Sequence, residues 1–179
     1  MILSFADEII SEIPDDDSTY IEDKLFIYGL IRSIHPDLCV EIGTHRGMTS
    51  LFIANALKDN GGGHLVTCDP LDFSQEDNFD KFPELRCFIT FVGQPGASLK
   101  LERPIDFLFV DGFHQKGHVL GEILRLFPQL SSKAVVLFHD AGGDVKDSVG
   151  VNAAVAEAKL HTVLLPTRGR MHIYSNFKL

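Results

Sequence analysis

The stretch Leu38–Pro70, LCVEIGTHRGMTSLFIANALKDNGGGHLVTCDP, decides how the chain is read. A short apolar run, Leu38 to Ile42, carries Glu41 near its end and passes into a turn holding Gly43 and Gly47. The spacing then becomes helical, with Met48, Leu51, Phe52, Ala54, Ala56 and Leu57 on repeating turns. Gly61 to Gly63 break that helix, and a second apolar run, Leu65 to Cys68, ends on Asp69. Strand, glycine turn, helix, loop, strand and acid make the first half of a nucleotide-binding βαβ unit.

The same alternation continues outward from this unit. Upstream, the segment to Ile13 has helical spacing and stops at Pro14. The polar run Asp15 to Ser18 announces a second helix, Thr19 to His35, ended by Pro36. Downstream, Ser74 is placed to cap a short helix, and Leu85 to Val92 reads as a third strand. Gly93 to Leu101 reads as a loop with at most one helical turn. Ile105 to Val110 is a fourth strand closing on Asp111, His114 to Leu126 a helix, and Ala134 to Phe138 a fifth strand closing on His139 and Asp140. Asp147 or Ser148 caps a helix through Ala158. Thr162 to Pro166 and Arg170 to Phe177 read as strands joined by a tight turn, which makes the last antiparallel to its neighbour. Strands that are apolar throughout and alternate with helices predict a mostly parallel sheet covered on both faces.

Composition bounds the function. A chain of 179 residues with 45% hydrophobic and 23% charged side chains is ordinarily globular, without low-complexity segments. It reads as one domain, with residues 1–36 as helices packing on or capping a core formed by 37–179. The formal net charge of −9 and the lack of any Lys/Arg cluster argue against a nucleic-acid partner. No apolar stretch approaches the roughly 20 residues of a membrane span, and the first ten residues lack the basic start of a signal peptide. Cys39, Cys68 and Cys87 lie in apolar, strand-like runs without C-x-x-C spacing, so free buried thiols and a cytoplasmic setting are expected.

In an open α/β sheet the ligand lies beyond the carboxyl ends of the strands. The residues that end them here are Glu41, Asp69, Gly93, Asp111, His139 and Asp140. Gly43 permits a sharp exit and close approach of a ligand, and Gly47 lets the helix begin near the strand. The spacing is G-x-x-x-G, not the G-x-G-x-x-G of nicotinamide sites. Asp69 is positioned to accept from ribose hydroxyls. Asp111, His139 and Asp140 offer ligands for a hard divalent cation, although an imidazole is softer than a carboxylate. They also leave open a metal-dependent hydrolase that would include His114. His114 and His118 are spaced i, i+4, as zinc ligands on a helix are, but no third ligand has matching spacing.

The runs EIGTHRG, CDP, IDFLFVDGFH, VVLFHDA and VGVNAAVAEA together resemble class I S-adenosylmethionine-dependent methyltransferases. The resemblance covers Leu38 to Phe177 and is closest to the small-molecule O-methyltransferase and cephalosporin-hydroxylase-like branch. It implies a Rossmann-like three-layer α/β/α sandwich with a seven-stranded sheet in the order 3-2-1-4-5-7-6, its last strand antiparallel. It also implies that Glu41, Gly43, Thr44 and Gly47 line the methionine part of S-adenosylmethionine, with Ser50 at its carboxylate. Asp69 would hold the ribose, and Gly93 and the following loop the adenine, while His45 lies in the cofactor turn. Asp111, His139 and Asp140 would take Mg²⁺ or another divalent cation. His114 would act as general base beside Asp111, its ordinary pKa near 6.5 suiting that work. The function so implied is O-methylation of a small hydroxylated molecule, with metal assistance as an option. The alternative is an inactive S-adenosylmethionine-binding domain with a regulatory role. The chain has little sequence to spare for a lid, which leaves a second copy in a homodimer to complete the pocket.

Overall fold

The computed structural model describes residues 2–13, 19–142 and 146–176. Seven strands form one sheet in the order β3-β2-β1-β4-β5-β7-β6. They are β1 (Leu38–Ile42), β2 (His64–Cys68), β3 (Ile89–Val92), β4 (Ile105–Val110), β5 (Leu130–Phe138), β6 (Val163–Leu165) and β7 (Met171–Ser175). The first five run parallel, and β7 is antiparallel to both β5 and β6. The helices are α1 (Ile2–Glu12), α2 (Ile21–Ile34), α3 (Met48–Asn60), α4 (Gln75–Asp80), α5 (Pro83–Arg86), α6 (Lys116–Leu126) and α7 (Lys146–Glu157). This is the Rossmann-like seven-stranded arrangement that the resemblance implies.

Alternation along the central strands splits the core in two. Cys39, Phe107, Phe109, Val135 and Leu137 face α1, α2 and α3, where Ile9, Ile27, Ile31 and Phe52 join them. Val40, Leu108, Val136 and Phe138 face the other way and pack with Ile123 of α6 and Val151 of α7. Both faces of β1 and β4 are therefore buried, as in a parallel sheet covered on both sides. Each fully buried Phe or Leu contributes on the order of 2–3 kcal/mol by leaving water. The N-terminal helices thus belong to the first core and do not merely border it.

Some boundaries differ from the sequence reading. Leu85 belongs to α5, because Pro83 pre-sets a helical turn there, and β3 begins only at Ile89. Cys87 ends that turn and is exposed; Cys39 and Cys68 are buried, and all three are free. Ser74 stands before α4 in a left-handed conformation without a side-chain capping bond. Helix α6 starts at Lys116, so His114 precedes it and shares no helix face with His118. Helix α7 begins at Lys146, ahead of the expected caps Asp147 and Ser148. The capping run Asp15–Ser18 and part of the loop 141–148 lie outside the described residues.

Candidate active site

The order of strands reverses between β1 and β4, each crossover departing to opposite sides, and the site lies beyond the carboxyl ends of these two strands. Gly43 leaves β1 with φ +93°, its N–H donating to the Cys68 carbonyl at 2.9 Å. A Cβ here would stand 2.1 Å from the Asp111 carbonyl oxygen, so only glycine lets the β1 turn lie against the end of β4. Above this turn opens a cavity of about 630 Å³, a size suited to a cofactor and a small acceptor.

Gly43, Thr44, His45, Asp69, Asp111, His114 and Asp140 all line the cavity. Asp69 is oriented by its own turn: Oδ2 accepts the His45 N–H and Oδ1 the Leu71 N–H, both at 2.9 Å. The His45 ring packs against Phe73, with centroids 4.5 Å apart. Glu41, Gly47, Ser50 and Gly93 are not among the lining residues. Glu41 is wholly buried and accepts from the Ser50 hydroxyl and, at 2.6 Å, from Thr67, whose hydroxyl pairs with Thr44. The acid of β1 therefore holds the floor under Thr44. On the β3 side the cavity is walled by Pro95, Gly96 and Ala97, just past Gly93.

The ends of β4 and β5 carry a buried charge cluster. His139 is 1% exposed at its side chain and Asp23 of α2 is fully buried. His139 Nε2 lies 3.3 Å from Asp23 Oδ2, and Nδ1 lies 3.1 Å from Asp111 Oδ1 and 3.5 Å from Asp140 Oδ1. The Gly169 N–H donates to Asp23 Oδ2 at 2.8 Å, and the Thr19 hydroxyl to Asp111 Oδ2 at 2.9 Å. Burial disfavours the charge on His139, but Asp111, Asp140 and Asp23 overcome it and push its pKa up to about 12. Burial likewise opposes ionisation of Asp111, yet His139, His114 and Thr19 hold its pKa down at about 2. These opposite shifts favour an imidazolium between carboxylates. His114 Nε2 stands beside the same acids, 3.3 Å from Asp140 Oδ2 and 3.6 Å from Asp111 Oδ1.

Ligand atoms of Asp111, His139 and Asp140 lie within 4.8 Å of one another, the spacing a metal ion needs. His139 Nδ1 is buried and faces the two acids, while Asp23 engages the other ring nitrogen. A carboxylate behind a ligating histidine is a recurrent metal-site arrangement, so these residues fit a divalent cation that displaces the proton of His139.

Asp23, Thr19 and Gly169 were not singled out from the sequence. The signal for Asp23 is its place on the stripe Asp23, Ile27, Ile31, an acid on the buried face of α2.

Residues 40–141 match the family model described as a methyltransferase domain. The chain is 26% identical over 143 residues to the uncharacterized protein y4gI of Sinorhizobium fredii (strain NBRC 101917 / NGR234). That alignment takes in 70% of this chain but spans only 15% of the relative's length. Among solved structures, S-adenosylhomocysteine-bound methyltransferase PaMTH1 of Podospora anserina is similar, with TM-score 0.75, 17% identity, and coverage of 99% of this chain and 88% of that one. A putative O-methyltransferase from Klebsiella pneumoniae gives TM-score 0.77 at 15% identity, covering 96% and 89%. The O-methyltransferase from Bacillus cereus in complex with S-adenosylhomocysteine gives 0.72 at 17%, covering 98% and 100%. At these identities the likeness is one of fold. Together with the family match across more than half its length, the switch-point cavity places this chain in the methyltransferase-domain family.

Proposed function

We propose that the protein is an S-adenosylmethionine-dependent methyltransferase that transfers the methyl group to the oxygen of a small hydroxylated molecule. The observation that carries this reading is one cavity joining Asp69, a carboxylate set for a ribose diol, to Asp111, His114 and Asp140 at the neighbouring strand ends. The similar Podospora and Bacillus structures hold S-adenosylhomocysteine, the product of such a transfer.

S-adenosylmethionine bound in the cavity would supply an activated methyl group to the acceptor oxygen, the carbon–sulfur bond breaking with its electron pair left on sulfur to give S-adenosylhomocysteine. The sulfonium is already activated, so the protein's share is alignment and removal of the hydroxyl proton. His114 is the acceptor for that proton, since its Nε2 lies in the cavity wall between Asp111 and Asp140, which compensate the charge gained. Asp23, Thr19 and Gly169 hold His139 and Asp111 in place from behind. A divalent cation, held by Asp111, His139 and Asp140, would lower the pKa of the acceptor hydroxyl.

Phe73 lines the cavity, and the Asp72–Glu84 stretch that carries it is a place where acceptor choice would be encoded. The buried free thiols Cys39 and Cys68 fit a reducing, cytoplasmic compartment. Calorimetry with S-adenosylmethionine and S-adenosylhomocysteine tests the cofactor, and labelled methyl transfer to a panel of hydroxylated compounds tests the reaction. No heat with either cofactor form would end this reading. Binding without transfer to any compound would favour the inactive-domain alternative.

A further inference from the structure

Helix α6 sends Val119, Ile123 and Leu126 into the second core, and Glu122 stands on that same stripe. Glu122 is 7% exposed, and its Oε2 has no hydrogen-bond partner among the described residues. A buried polar atom left without a partner costs about 1–3 kcal/mol, so its persistence calls for a reason. Burial drives its pKa up to about 7, against the opposing influence of His114. The group is then an acceptor at one oxygen and, in its acid form, a donor at the other.

The surroundings narrow what it meets. Glu122 lines the cavity, and its Oε1 lies 3.6 Å from where a Gly112 Cβ would stand. Helix α6 packs against the 3₁₀ turn Gly96–Ser98, and Gly96, Gly112 and Gly121 all contribute to the cavity wall. Walls of bare backbone make room for a flat ring. Asp69 borders the same cavity as Glu122, so a ribose held there has its base within the space that Glu122 also lines. A carboxyl group repels phosphate and carboxylate, which leaves a partner with a donor and an acceptor side by side.

Resting on the cofactor reading above, we propose that Glu122 reads the adenine base, accepting from its exocyclic amino group and donating to an adjacent ring nitrogen. This deepens the assignment of the cavity by giving it a base-specific contact.

The test is a thermodynamic cycle by calorimetry on the intact chain. Wild type and Glu122→Leu are each titrated with S-adenosylhomocysteine and with its analogue lacking the 6-amino group. Wild type should bind the analogue about tenfold more weakly than the parent, the worth of one such hydrogen bond. Glu122→Leu should bind the parent about tenfold more weakly than wild type and no longer distinguish the two ligands. Glu122→Gln, with an amide acceptor and donor in the same place, should restore the affinity. A melting curve for Glu122→Leu at or above that of wild type establishes that folding is intact, because an unpartnered carboxyl has been replaced by an apolar group. The proposal is overturned if Glu122→Leu binds the parent as wild type does, or if it loses affinity equally for both ligands. If wild type binds neither ligand, the cofactor reading itself fails and this proposal goes with it.

Discussion

Replacing His139 by Gln removes the cation from between Asp23 and Asp111 while keeping a polar side chain of similar reach. In wild type the pair is buried on both sides, with side-chain exposures of 1% and 0% for His139 and Asp23. Removing one partner of such a pair costs about 3–5 kcal/mol, because an uncompensated charge stays in the interior. Here Asp23 keeps the Gly169 N–H and Asp111 keeps the Thr19 hydroxyl, so the lower end applies, about 3 kcal/mol. For a domain of this size that lowers Tm by about 6–12 °C. The pH dependence follows from the shifts. His139 has a raised folded pKa, so its contribution is complete below about 6.5 and declines as pH rises toward 12. Asp111 has a lowered folded pKa, so its contribution is present above about 3.9 and is lost as pH falls toward 2. The deficit of the variant should therefore be greatest between about pH 4 and 6.5 and shrink above it. Urea unfolding at pH 6 and pH 9, with a chelator present, measures both. The double variant Asp23→Asn, His139→Gln should recover part of the loss, since the orphaned charge is gone. A deficit under about 1 kcal/mol at pH 6, or strictly additive single and double variants, would refute the buried-ion argument.

Other substitutions read other parts of the site. Asp69→Ala should weaken S-adenosylhomocysteine binding about tenfold to a hundredfold, the range for a charged hydrogen bond, and unchanged affinity in calorimetry would remove Asp69 from the ribose. Gly43→Ala should cost at least about 2 kcal/mol in a thermal melt, because its Cβ meets the Asp111 carbonyl at 2.1 Å and the φ of +93° disfavours any side chain. Glu122 has a raised folded pKa, so wild type should lose up to about 3 kcal/mol as pH climbs from about 4.5 to 7. Glu122→Gln should flatten that part of the stability profile measured by urea unfolding.

The strand-end logic made much of the sheet legible in the sequence. Apolar runs ending in Glu41, Asp69, Asp111 and His139-Asp140 are strands because both sheet faces are covered, and the turn signal after Leu165 marks the antiparallel pair. Contacts made over long sequence separations were less legible. Periodicity places Asp23 and Glu122 on apolar helix faces, but it does not say which strand end lies opposite. Glu41 shows the converse. The resemblance puts it at the methionine end of a cofactor, while its hydrogen-bond partners Ser50 and Thr67 come from a helix and a strand whose side-chain directions emerge only when β1 and β2 are in register. Local chemistry also overrode pattern at Leu85, where Pro83 starts a helical turn within an apolar run.

The bond from the Gly169 amide to the Asp23 carboxylate joins residues 146 positions apart. During synthesis the chain is made from the N-terminal side, so the glycine-turn half of the site has all its residues long before the β6–β7 hairpin exists. Until that hairpin docks, Asp23 lacks the Gly169 N–H that helps to fix it. Closing so distant a contact is slow relative to local helix formation. The long-range contact at the acid end of the cavity is therefore expected to close after the local helices have formed, and it cannot exist in a chain that lacks the β6–β7 turn.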